Sequence, residues 1–419
     1  MFRSLSARVV AALVLGLGAG AAIQAGDAAA WANAVSVVEA LGALWLNALR
    51  MTVIPLIVSL LVTGIASVAD AAATGRLATR AIALFTVLIA FAAAYSTLAT
   101  QGLLSLWPIP PEAARAFIAG APATDAAAIT PPTIAQWLKS LAPANPVAAA
   151  AEDQITPLVV FAAFLGFAAT RLPADLRTPL ITFFRAVAEA MIVVVRWVLH
   201  AGPVGVFALS LGVGARAGLG AAGVLAQYVA IVSLVTIGII VIAYALAVVW
   251  GRVPLPAYLR ATAPATVVAF STQSSLATLP AMLTASREGL GVPARIADVI
   301  LPLAVAVFRF TSPVANLAVA YVIVHLYGIE PTPAQMLAAM LVAFAVSVGS
   351  VGLPGQVSFF ISMAPICVAL GAPIDLLGIL LAVEVVPDIF RTVGNVMGDI
   401  AAVTILRRHE PPEVAPGEP

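Results

Sequence analysis

Long apolar runs follow one another through most of this 419-residue chain, parted by stretches rich in arginine, proline or small polar residues. The first run covers about Val9 to Ile23, behind Arg3 and Arg8. It is long for the apolar part of a cleaved leader and reads as a retained first span. The second, about Val37 to Val68, exceeds the roughly 20 residues one untilted helix needs and holds Pro55. A third covers about Ile82 to Leu106. Residues 107–150 are rich in Pro and Ala, hold Glu112, Arg115, Asp125 and Lys139, and predict an exposed loop. Further apolar runs follow at about Ile155–Ala169, Leu180–Val213 and Ala221–Trp250.

The pattern then changes. Residues 256–290 and 333–370 are apolar but interrupted, by STQSSLATLP at 271–280 and by SVGSVGLPGQ at 347–356. Each is followed by a full apolar span, about 296–326 and 374–405. Non-helical backbone at membrane depth persists only where it lines a cavity or is buried in protein. Two interrupted segments in corresponding positions of an inverted repeat point to a binding site. Two short interfacial loops would give the same pattern with no site.

The last span carries polar residues on one face. At 100° per residue, Glu384, Asp388, Arg391, Asn395 and Asp399 fall within an arc of roughly 80°. Each central charge costs about 2.5–3.5 kcal/mol against lipid, so the four would cost about 10–14 kcal/mol. They must face protein, a water-filled cavity or a charged ligand. A salt-bridge network inside a bundle would satisfy them; a site for a small charged solute would do so as well.

Composition agrees with a membrane. Hydrophobic residues make up 62% and charged residues 9%, against about 25% charged in ordinary soluble domains; the mean hydropathy is +1.09. A net charge of +1 gives no sign of nucleic-acid binding. Cys367 stands alone in an apolar run, and no HExxH, CxxC, Walker or GxSxG motif occurs, so neither a cofactor nor an enzyme is expected. Arginines at 3 and 8, 76 and 80, 171 and 177, 252 and 260, 287 and 295, and 407 and 408 would share one side, which should be cytoplasmic. Both termini then lie inside. Eight transmembrane helices plus two re-entrant helical hairpins satisfy that count, in an all-α polytopic membrane protein. The tail HEPPEVAPGEP reads as disordered.

Several motifs together resemble the dicarboxylate/amino acid:cation symporter family, the glutamate transporters. They are TQSSLATLP, SVGSVGLPGQ, RTVGNVMGD in the last span, MTVIPLIVSLLVTGIAS at 51–67 and HAGPVGVFAL at 200–209. The resemblance implies inverted repeats, a homotrimer and an elevator-type movement in a bacterial-type inner membrane. It divides the chain into scaffold helices 1–2 at 1–78, transport helix 3 at 79–108, and the extracellular loop with helices 4–6 at 109–250. The transport core then covers 251–406, and a cytoplasmic tail 407–419. It implies that Arg391 pairs with a substrate side-chain carboxylate, for which a guanidinium fork is suited. Asp388 would hold the ammonium. Asn395 with Ser274 and Ser275 would hold the α-carboxylate, and Ser312, Thr392, Gly352 and Gly355 would complete the pocket. The acid at 388 favours an amino acid, aspartate or glutamate, over a dicarboxylate.

The cation sites implied by the resemblance are altered. The span before the second hairpin reads Phe308-Arg309-Phe310-Thr311-Ser312 where the family carries an Asn-Met-Asp-Gly-Thr core, and Phe85, Leu88 and Ile89 stand where the third span offers oxygens. Arg309 would act as a tethered cation toward Asp399, the counterpart of a sodium ligand. If a proton replaces sodium, Glu384, Asp388 and Asp399 are candidate carriers, with His200 weaker. A residual sodium site at Asp399 and Asn395, an uncoupled carrier, and a channel or sensor on the same scaffold all remain open on sequence.

Overall fold

The computed structural model describes residues 5–26, 28–73, 75–119, 142–152, 154–218, 220–349 and 355–408, and every regular element among them is helical. The loop residues Asp125 and Lys139, Gly352 and the tail beyond Arg408 lie outside the described residues. In chain order the helices are α1 (Leu5–Ala25), α2 (Ala28–Arg50), α3 (Val53–Ala73), α4 (Arg76–Leu106), α5 (Pro111–Ala119), α6 (Pro146–Ala151), α7 (Ile155–Ala169), α8 (Ala174–His200), α9 (Gly202–Ala217) and α10 (Gly220–Val249). They continue with α11 (Leu255–Thr272), α12 (Ser275–Thr284) and a π-helical turn at Ala285–Gly289. Last come α13 (Ala294–Val307), α14 (Ser312–Leu326), α15 (Pro333–Gly349), α16 (Gly355–Ala369), α17 (Leu377–Val383) and α18 (Val385–Arg407). Seven helical stretches among the described residues are long and apolar enough to cross a membrane. The remaining expected crossing falls on α7, which at 15 residues is shorter than the others.

Four expected runs are broken where the sequence pattern shows continuous apolarity. The breaks fall at Met51–Thr52, Ala201, Phe308–Thr311 and Glu384. Each lies at or within two residues of the position four before a proline: Pro55, Pro203, Pro313 and Pro387. A proline ring clashes with the carbonyl four residues back and donates no hydrogen bond to it. Pro264 and Pro302 stay inside α11 and α13, so proline permits a break and packing decides whether one forms. The spans at 296–326 and 374–405 are therefore each a broken pair, not the single full helices expected. The stretch 107–150 is not simply an exposed loop, since Ala114 and Phe117 of α5 are buried.

The first interrupted segment divides where expected, while residues 350–354 of the second lie outside the described residues. α11 ends at Thr272, Gln273 takes a left-handed conformation (φ 50°, ψ 34°), and Ser274 caps α12 by accepting from the Ala277 N–H at 3.2 Å. α11 and α12 pack against each other, as do α15 and α16. At the periphery α1 packs along α9, which also meets α2, where Arg216 pairs with Glu39. α3 lies against α7 and α8. α8 leaves Phe183 and Trp197 exposed, which suits contact with lipid.

α18 is buried on all sides from Asn395 to Leu406 and is surrounded by α10, α11, α12, α13 and α4. Two glycines one turn apart, Gly394 and Gly398, admit the broken α13–α14 segment. A Cβ on Gly398 would stand 2.7 Å from the Phe310 ring, and one on Gly394 would meet Thr311 and, at 3.0 Å, Ile240. Forcing carbon into a filled core destabilises by about 1–3 kcal/mol. Gly398→Ala is expected to lower the thermal midpoint in detergent, followed by fluorescence-detected size exclusion. Gly102→Ala, at a position with open space around it, is the control and should not. An equal effect in both would remove the close-approach account.

Candidate functional site

The joint at Glu384 places its carboxylate in the interior. Tyr228, fully buried on α10, donates its hydroxyl to Glu384 Oε2 at 2.9 Å, and Arg391 Nη2 donates to Glu384 Oε1 at 2.6 Å. Arg391 leans two turns back along α18 to make this pair. Its Nη1 lies 3.9 Å from Asp388 Oδ1, and its Nε has no hydrogen-bond partner among the described residues. Asp388, Arg391, Thr392 and Asn395 are all buried, so the polar face read from the sequence points into protein.

The α13–α14 break is tied to the same helix. The Thr311 N–H donates to Asn395 Oδ1 at 2.9 Å, and the Thr311 hydroxyl lies 2.6 Å from the Arg391 carbonyl and 2.9 Å from Asn395 Oδ1. An unwound backbone needs such partners where water is absent. Asn395 thus uses its side-chain oxygen structurally. Arg309, partly buried, donates from Nε to Ser312 Oγ at 3.2 Å. Its charge acts on Asp388, Asp399 and Arg391.

Asp399 is fully buried, and neither carboxylate oxygen has a hydrogen-bond partner among the described residues. Arg309 acts on it by charge without a hydrogen bond. Beside it, residues from two distant parts of the chain form one aromatic column. Phe85 of α4 stacks on Phe308 with centroids 4.4 Å apart and planes at 11°, and Phe308 lies 5.6 Å from Phe310. Phe310 in turn covers Gly398. Leu88 and Ile89 are buried as well. Tyr258 of α11 donates to the Met397 carbonyl at 3.0 Å and closes the far side.

Of the other candidates, Ser274 uses its hydroxyl as a cap, and Ser275 opens α12, which packs against α18. Gly355 opens α16, which also touches α18. His200 is exposed at the end of α8. The sequence pattern did not single out Tyr228, Tyr258 or Thr311. The polar pair Gln227-Tyr228 early in the otherwise largely apolar α10 is the signal that could have found Tyr228.

A polytopic helical bundle with buried, opposed charges around broken helices defines a membrane transport protein. The model of the sodium:dicarboxylate symporter family matches residues 5–409, and the chain belongs to that family. It is 30% identical over 417 residues to the proton/glutamate-aspartate symporter of Escherichia coli (strain K12), covering 97% of this chain and 93% of the relative. It is 25% identical over 373 residues to the proton/sodium-glutamate symport protein of Geobacillus stearothermophilus, covering 89% and 87%. It is also 30% identical over 428 residues to neutral amino acid transporter A of Homo sapiens, covering 87% and 74%.

Proposed function

We propose that this chain is a secondary transporter of acidic amino acids, aspartate or glutamate, that works without bound sodium. The observation that carries the reading is the buried set Asp388, Arg391 and Asn395, each about one turn from the next on α18. It offers an anion, a cation and an amide to a ligand bearing an ammonium and two carboxylates. Arg391 reads the side-chain carboxylate. Asp388 holds the ammonium. The Asn395 amide nitrogen, its oxygen being occupied by Thr311, donates to the α-carboxylate together with Ser275. Ser312, Thr392 and the second-hairpin glycines Gly352 and Gly355 close the pocket. The names of the bacterial relatives, a proton/glutamate-aspartate symporter and a proton/sodium-glutamate symport protein, support an acidic substrate.

Sodium independence rests on the aromatic column. Sodium needs several oxygen ligands in place of its hydration shell, and Phe85, Phe308, Phe310, Leu88 and Ile89 offer none. Arg309 supplies a permanent positive charge toward Asp399, acting across space and not through a direct bond. The remaining parts of the proposal follow the family pattern. They are a homotrimer, an elevator movement of the 251–406 core with the spans at 79–108 and about 221–250 against a scaffold, and both termini on the cytoplasmic side of a bacterial inner membrane.

Asp388→Asn keeps the size and removes the charge. Truncating one partner of a buried charged pair costs about 2–5 kcal/mol, so aspartate affinity should fall at least about thirty-fold. Titration calorimetry with aspartate and succinate checks this. Unchanged aspartate affinity would assign Asp388 to structure, and binding of succinate but not aspartate by the unmodified protein would overturn the amino-acid assignment.

A further inference from the structure

The guanidinium expected to read the substrate is already engaged by a protein carboxylate. Glu384 holds Arg391 at 2.6 Å and is itself held by Tyr228 at 2.9 Å, and all three side chains are buried. Arg391 and Arg309 face Glu384, Asp388 and Asp399, so the cluster carries one negative charge when every group is ionised. An acidic amino acid adds another. Two carboxylates cannot both hold the one Nη2 edge, and a buried carboxylate released from its cation is costly unless it is neutralised.

We propose that Glu384 is a resident competitor for Arg391 that takes up a proton when the substrate displaces it. This rests on the acidic-amino-acid reading above. The exchange balances. The Arg391–Glu384 pair opens, and Arg391 donates its hydrogen bonds to the substrate's side-chain carboxylate. One proton from water on the side of entry binds the vacated Oε1 of Glu384. Oε2 keeps its bond from Tyr228, which holds the neutral carboxyl in place. On release of substrate the proton leaves and the pair re-forms. Substrate and proton then move together, with Glu384 as the coupling residue. The groups acting on Glu384 are Tyr228 from α10 and Asp388 and Arg391 from α18. Behind these, the charge of Arg309 acts on Arg391. Asp388 is the weaker choice of carrier, because it stands 3.9 Å from the guanidinium and is committed to the ammonium.

The test compares the unmodified protein with Glu384→Gln in proteoliposomes and by aspartate titration between pH 5 and 8. Binding that takes up one proton weakens as pH rises, by up to about tenfold per pH unit. The unmodified protein should show that slope. It should also accumulate labelled aspartate when the interior is made alkaline. Glu384→Gln should bind aspartate more tightly at pH 8, lose the slope and lose gradient-driven accumulation, while counterflow continues. An identical slope in Glu384→Gln would overturn the proposal. So would an unmodified protein whose affinity ignores pH while its counterflow is intact. If Glu384→Gln does not fold, proton uptake by the unmodified protein on aspartate binding, read with an indicator dye, decides the same question. Absence of aspartate or glutamate counterflow in the unmodified protein is a different failure, that of the substrate reading.

Discussion

Arg391→Ala is expected to abolish measurable binding of aspartate and glutamate and to leave a site that accepts neutral amino acids such as serine. The guanidinium is the cation on the substrate face of α18, and without substrate it is held by Glu384 at 2.6 Å. Losing a buried, hydrogen-bonded charge pair costs about 2–5 kcal/mol, which is thirty-fold or more in affinity at about 1.4 kcal/mol per decade. Asp388 and Asn395 would remain to hold the ammonium and α-carboxylate that every amino acid shares. The single change also strands the Glu384 carboxylate with Tyr228 alone, so a loss of stability should accompany it. Arg391→Ala combined with Glu384→Gln removes that stranded charge and should recover folding without recovering acidic substrates. Calorimetry with aspartate and serine on both variants reads the result. Aspartate affinity within a few-fold of the unmodified protein would remove Arg391 from the substrate site.

Aspartate affinity measured in sodium and in choline should agree within a few-fold. An ion shifts a conformational equilibrium only through its differential affinity for the states. The stacked rings of Phe85 and Phe308, with Phe310 over Gly398, leave apolar surface where the family resemblance implies oxygen ligands. A hundred-fold gain in sodium, about 2.7 kcal/mol, would mean that Asp399, Asn395 and hairpin carbonyls still form a working ion site. It would also mean that Arg309 does not replace the ion.

Much of this arrangement was legible in the sequence because lipid makes charge placement expensive. The polar stripe from Asp388 to Asp399 had to turn inward, and it does. The first interrupted hairpin was legible from Gln273-Ser274, where the helix ends and a new one is capped. The breaks at Phe308–Thr311 and Glu384 were missed because hydropathy does not register backbone geometry. Pro313 and Pro387 permitted breaks there, but Pro264 and Pro302 lie inside unbroken helices, so proline alone did not locate them. The Phe85–Phe308 stack could be anticipated only as two separate losses of oxygen, because nothing in either local sequence says the rings meet. Tyr228 was missed for a similar reason: its partner Glu384 lies 156 residues away, and nothing near Tyr228 in the sequence points to it. The direct Arg309–Asp399 bond suggested by charge pairing is not formed. The Nε of Arg309 donates to Ser312 and its charge acts on the carboxylate through space, while the second hairpin tip, the other expected partner, lies outside the described residues.

The measurement that bears most directly on the central claim is uptake of radiolabelled aspartate into proteoliposomes, with sodium, potassium and proton gradients imposed one at a time. The account predicts accumulation driven by an alkaline interior, with no response to an inward sodium gradient at fixed pH and membrane potential. Accumulation that follows sodium and ignores the proton gradient would contradict it.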